Sequence, residues 1–214
     1  MALKHSFSKK FVGDKILIST LTRGRWSWLA PALLLVSTCV CAGQAADAKP
    51  AQGDTGAGKV TTVFLVRHAE RATEPAQDPP LTEAGKARAE ALARLLSGAG
   101  VKAVYTSQFA RTKQTAEPLA KLLGVPVNPV PLAVKPDKPR EVSEQSIREL
   151  KSKIEGHAGG AVLVVGHTNS IPDLIRELGG DVVPNIPEDK FDNLFVVTVY
   201  APGRAKVVQL KYGS

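Results

Sequence analysis

Beyond residue 48 this chain has no cysteine: Cys39 and Cys41 both lie before that point. A domain built from the remainder can have no disulfide framework and is indifferent to the redox state of its compartment. Histidine is sparse as well, with His68, His157 and His167 after residue 48 and no His-x-x-x-His pair. A metal site is therefore poorly supported, and no metal or other cofactor is implied. There is also no run of five or six basic residues. The formal charge of +8 suggests an acidic partner, but residues 1–48 hold six Lys/Arg against two Asp/Glu, which is half of it. Charges of both signs are mixed along the rest, which excludes a nucleic-acid patch and describes a solvated surface. No internal repeat is visible.

What is present divides the chain into three. Residues 1–48 read as a signal peptide or N-terminal anchor. Lys4, Lys9, Lys10, Lys15, Arg23 and Arg25 form a basic region, an apolar stretch covers residues 26–42, and small residues follow it. Export to a periplasmic or secreted location is expected. The apolar stretch is close to the lower limit of about 17 residues for a bilayer span, so an uncleaved segment would be the chain's one membrane contact. Residues 49–59, with three glycines, read as a flexible linker, and residues 60–214 as one globular domain.

Val60 to Val66 is β-branched and almost continuously apolar, the pattern of a central parallel strand, and it stops at Arg67-His68. Residues 71–80, with three prolines, predict a loop, and Thr82 is a natural N-cap for a helix ended by Gly98 and Gly100. Val101 to Thr106 is a second strand. Behind it, Ser107 to Leu123 has a helical pattern in which Pro118 demands a kink or a late start. The five prolines between Val125 and Arg140 predict mostly extended loop, and a polar helix is expected from Glu141 to about Glu155. Ala161 to Val165 is a second strongly buried strand ending at Gly166-His167. Ser170 and Asp173 have the spacing of a capping box for the next helix. Residues 193–200 and 205–212 form a closing antiparallel hairpin. The fold class expected is α/β: a three-layer sandwich with a mostly parallel central sheet, helices on both faces and the C-terminal hairpin.

In such sheets ligands bind at the carboxyl ends of the strands. Three strands carry polar residues to that edge: Arg67-His68, Ser107 to Arg111, and His167-Thr168. Each alone is an ordinary polar chain end; together they describe a site. Guanidinium forks match phosphate oxygens, and an imidazole kept neutral by neighbouring arginines can attack phosphorus. A second histidine, protonated beside an anion, can stabilise the transferring phosphoryl group. His157 reads as a surface residue.

Arg67-His68-Ala69-Glu70, Leu81-Thr82-Glu-Ala-Gly85, Ser107-x-x-x-Arg111-Thr112-x-x-Thr115 and Gly166-His167-Thr168-Asn169 resemble the four signatures of the histidine phosphatase superfamily, the phosphoglycerate-mutase-like fold, in its branch with small exported phosphatases. The resemblance implies that His68 is the phosphorylated nucleophile, with Arg67, Arg111 and His167 completing the phosphate pocket. It implies a phosphatase acting on a small-molecule phosphoester, a phosphoprotein or a phosphohistidine; a mutase-like phosphotransferase and a non-catalytic phosphate-binding module are the alternatives. Ala69 stands where the family has glycine. Pro131-Leu132-Ala133-Val134 places Val134 where many members carry a glutamate proton donor. Glu70, two residues beyond His68 in an extended chain, is the nearest replacement, and a salt bridge to an arginine is its other reading. Members with easily departing leaving groups need no acid.

Overall fold

The structure, a computed structural model, describes residues 59–213. The expected leader of residues 1–48 and nearly all of the linker lie outside the described residues. Within them, no helix is long and apolar enough to cross a membrane.

Strand β1 is Thr61–Arg67, β2 Val101–Thr106, β3 Val127–Pro129, β4 Val134–Lys135, β5 Lys138–Val142, β6 Ala161–Gly166, β7 Asn193–Ala201 and β8 Arg204–Lys211. The helices are α1 Glu83–Leu96, α2 Ala110–Leu123, α3 Glu144–Glu155 and α4 Ser170–Glu177. Six strands form one sheet in the order β3-β2-β6-β1-β7-β8. The first four are parallel, and β7 and β8 add antiparallel to β1 and to each other. The α/β sandwich and its terminal hairpin are as the sequence predicts.

The period of two along a strand explains why β1 and β6 read as unbroken apolar runs. On one face Val63, Leu65, Val162 and Val164 pack with Ile147, Leu150 and Ile154 of α3 and Ile171, Leu174 and Ile175 of α4. On the other, Val66, Leu163 and Val165 pack with Leu92 and Leu96 of α1 and Ala116 and Leu119 of α2. Both faces of one sheet are thus covered by helices.

Several boundaries differ from those expected. Helix α3 starts at Glu144, because the Oγ of Ser143 accepts from the Ser146 amide at 3.2 Å and forms the cap. Glu141 instead belongs to β5, which pairs antiparallel with β4 around Pro136-Asp137. The proline-rich segment is therefore partly a hairpin, with proline and aspartate supplying its turn. Helix α2 starts at Ala110, not late enough to place Pro118 in its first turn, and holds that proline in its interior. The capping box at Ser170 does not form. Asn169 caps α4 through Oδ1, which accepts from the Ser170 amide at 2.8 Å, and the Ser170 hydroxyl accepts from the His167 amide at 2.9 Å.

Candidate active site

The register of the sheet assembles the site. Arg67 lies opposite Gly166, the His68 amide donates to the Gly166 carbonyl at 3.0 Å, and Thr106 lies opposite Val165. The residues that follow, His68, Ser107 and His167, therefore leave three neighbouring parallel strands at one level of the carboxyl edge. A cavity of about 420 Å³ opens there, with Arg67, His68, Arg71, Arg111, His167 and Glu188 in its lining.

His68 is 4% exposed. Its Nδ1 lies 2.8 Å from the carbonyl oxygen of Ala69. A carbonyl only accepts, so Nδ1 carries the proton and the lone pair of the neutral ring resides on Nε2. Burial, with Arg67, Arg111 and Arg71 adding to it, lowers the pKa to about 4. The turn holding the ring is fixed in turn: the Ala69 amide donates to Thr115 Oγ1 at 2.9 Å, and that hydroxyl donates to the Arg111 carbonyl at 2.7 Å. The methyl of Ala69 is fully buried against Leu81 and Ala89. Where glycine was expected from the resemblance, the extra carbon is used in packing.

The His167 ring meets the His68 ring edgewise, centroids 5.4 Å apart. Its Nε2 is 2.8 Å from Ser107 Oγ, which lies 2.9 Å from Thr112 Oγ1. Burial, then His68, Arg111 and Arg67, lower its pKa to about 3. Both rings are neutral near pH 7, and an arriving anion is what would favour protonation of His167.

Arg67 is 3% exposed, and most of its donors are engaged by one loop. Nη1 donates to the carbonyls of Pro187 at 2.9 Å, Glu188 at 2.7 Å and Lys190 at 3.2 Å, and Nη2 donates to the Glu188 carboxylate at 2.9 Å. Phe191 lies under the guanidinium at 4.3 Å, and Phe109 lies 4.2 Å from that of Arg111. Arg111 is 3.7 Å from Asp78, whose carboxylate also accepts from the Ala110 amide at the start of α2 at 2.9 and 3.1 Å. The Nε–H of Arg67 and the Nε–H of Arg111 are buried without a hydrogen-bond partner among the described residues. The Tyr212 hydroxyl, outside this cavity, is a third such group.

The structure thus brings together His68, His167, Arg67 and Arg111. It does not bring Glu70 to them. Arg88 Nε donates to both Glu70 carboxylate oxygens at 2.9 and 3.0 Å, and Nη2 to Oε1 at 2.7 Å. Burial acts to raise the Glu70 pKa, but the Arg88 hydrogen bonds, a backbone hydrogen bond and the charges of Arg88 and Arg67 together outweigh it and hold the carboxyl below the ordinary range. Glu70 lines a separate cavity of about 250 Å³ beside Arg88 and Tyr212. Its salt-bridge reading is the one realised: β1 ends at Arg67, and Glu70 lies beyond the strand, within reach of Arg88. His157 also departs from the surface reading: it is part-buried, its Nε2 2.9 Å from the Tyr105 hydroxyl. Arg71, Asp78, Phe191 and Glu188 were missed. They sit on loops, where the sequence has no periodicity from which to infer direction. Among the described residues no group of three or more His, Cys, Asp or Glu side chains is placed to hold a metal ion.

Comparison with known proteins bears on these same residues. Residues 63–133 match the family model described as histidine phosphatase superfamily (branch 1). That match spans about a third of the chain. The matched region includes Arg67, His68 and Arg111; His167 lies beyond it and joins the site through the β1–β6 register. "Probable phosphoglycerate mutase GpmB" of Photorhabdus laumondii is 37% identical over 68 residues, covering 29% of this chain and 32% of that protein. The Yersinia enterocolitica protein of the same name is 37% identical over 71 residues, 30% of this chain and 33% of its own length. The chain thus spans about a third of the length of the curated relatives it matches. Among solved structures, the protein histidine phosphatase SixA complexed with tungstate superposes with a TM-score of 0.56 at 23% identity, covering 70% of this chain and 96% of SixA. A phosphoglycerate mutase from Bacillus anthracis gives 0.54 at 16%, covering 73% and 94%. At such identities these likenesses establish the shared fold.

Proposed function

We propose that this protein is a phosphatase that transfers the phosphoryl group of a phosphomonoester, or of a phosphohistidine, to Nε2 of His68 and then hydrolyses the phosphohistidine. The observation that carries this reading is the pairing of a neutral His68, its Nδ1 proton committed to Ala69, with Arg67 and Arg111 in the lining of the same cavity. In the first step the Nε2–P bond forms as the bond to the leaving group breaks; in the second, water attacks phosphorus and the neutral imidazole departs. Arg67, Arg111 and His167 hold the phosphoryl oxygens. The substrate is a small-molecule phosphoester or a phosphoprotein. The protein is exported, a proposal that rests on the basic and apolar segments of residues 1–48. Expressed with its own N-terminus in a Gram-negative host, it should appear in the periplasmic fraction, either freed of residues 1–48 or membrane-bound through 26–42; a wholly cytosolic product would remove this part of the proposal.

The names of the curated relatives favour a second reading, a mutase. Val134 and the absence of a carboxylate on that segment favour the phosphatase. Product analysis separates the two. With 3-phosphoglycerate and a panel of phosphomonoesters, a phosphatase releases inorganic phosphate, whereas a mutase yields the 2-phospho isomer with phosphate conserved.

A further inference from the structure

Departure of an alkoxide or phenoxide from phosphorus is assisted by a proton delivered to the bridging oxygen. Glu70 is held by Arg88 away from the cavity, and Val134, which does line it, has nothing to donate. One carboxylate remains among the residues lining the His68 cavity, that of Glu188. It comes from the segment between α4 and β7, a part of the chain far from β1 in sequence. Its Oε2 accepts from Arg67 Nη2 at 2.9 Å and its carbonyl from Nη1 at 2.7 Å. The residue is thus anchored by its backbone to the same guanidinium that flanks the nucleophile. The side chain beyond that anchor is 85% exposed, and the residue lines the cavity.

We propose, on the basis of the phosphatase reading above, that Glu188 is the proton donor to the leaving group. The Glu188 carboxyl, which accepts from Arg67 Nη2 at 2.9 Å, lines the same cavity that the phosphoryl group enters. As the Nε2–P bond forms and the P–O bond breaks, the carboxyl proton passes to the departing oxygen. In the second step the resulting carboxylate takes a proton from the attacking water, and the neutral His68 ring leaves phosphorus. The carbonyls of residues 187, 188 and 190 keep Arg67 in place throughout.

The test compares phenyl phosphate with 4-nitrophenyl phosphate, which differ little in shape and strongly in leaving-group basicity, using the full chain and Glu188→Gln. For Glu188→Gln, kcat/KM on phenyl phosphate should fall about 100-fold and on 4-nitrophenyl phosphate less than about 3-fold. Asp189→Asn, whose side chain lines the other cavity, should leave both rates unchanged. Equal losses on the two substrates, no loss, or a gain would overturn the assignment of Glu188 while leaving the phosphatase reading intact. A wild-type protein that hydrolyses neither ester, no member of the phosphomonoester panel and no phosphohistidine would overturn both.

Discussion

At the scale of single residues, the chemistry rests on two rings kept neutral. An unfolded chain takes up protons on histidine near pH 6.5, whereas His68 and His167 do so in the fold only at about 4 and about 3. Between those limits the unfolded state binds more protons, so stability falls as pH drops through that window and is fully present above it. An NMR titration of the ring C–H protons should show both residues uncharged at pH 5.5; titration of either near 6.5 would contradict the burial described. Arg67, His68, Arg111 and His167 were legible in the sequence because each lies at or shortly beyond the carboxyl end of a buried strand, the edge where ligands bind. Glu70 was misread for a physical reason. The alternation of side chains holds only while the strand lasts, and Glu70 lies beyond its end, beside the Arg71–Leu81 bridge, its carbonyl accepting from the Thr82 amide at 2.9 Å. Glu188 left no signal, since its place is set by Arg67 reaching across the sequence to a loop.

Among elements, α1 and the turn after β1 are fitted to each other through Gly85. A Cβ added there would collide with the Glu70 carbonyl oxygen, so the first turn of α1 sits directly on that backbone. Gly85→Ala should destabilise the fold by about 1–3 kcal/mol, as overpacking does, and lower kcat by displacing the His68 turn. Chemical denaturation together with steady-state kinetics checks this, and a variant with wild-type values for both would show that the contact is unimportant. Thr82, Gly124 and the apolar runs made α1, α2, β1 and β6 readable, since each contains its own start, stop or period. The β4–β5 hairpin was not readable. Its strands are short, and five prolines made the same residues equally good as loop. The start of α3 moved from Glu141 to Glu144 for a related reason: Ser143 provides a side-chain cap, while Glu141 pairs with Lys135 at 3.1 Å across the hairpin.

For the molecule as a whole, the sheet order converts residues distant in sequence into one pocket. β6 lies between β2 and β1, so Ser107, His167 and His68 become neighbours although 99 positions separate the two histidines. The strand ends could be read in advance as sharing an edge, but not as adjacent, because strand order depends on which crossovers the helices take. The central claim, that this edge forms a phosphohistidine on His68, is tested by trapping it. The protein is incubated with a 32P-labelled activated phosphoester, quenched and mapped, alongside His68→Ala. Acid-labile, base-stable label on His68 that is absent from His68→Ala is the expected result. Phosphate bound to a wild-type protein that neither takes label nor hydrolyses the ester would contradict it, and leave a phosphate-binding module in place of an enzyme.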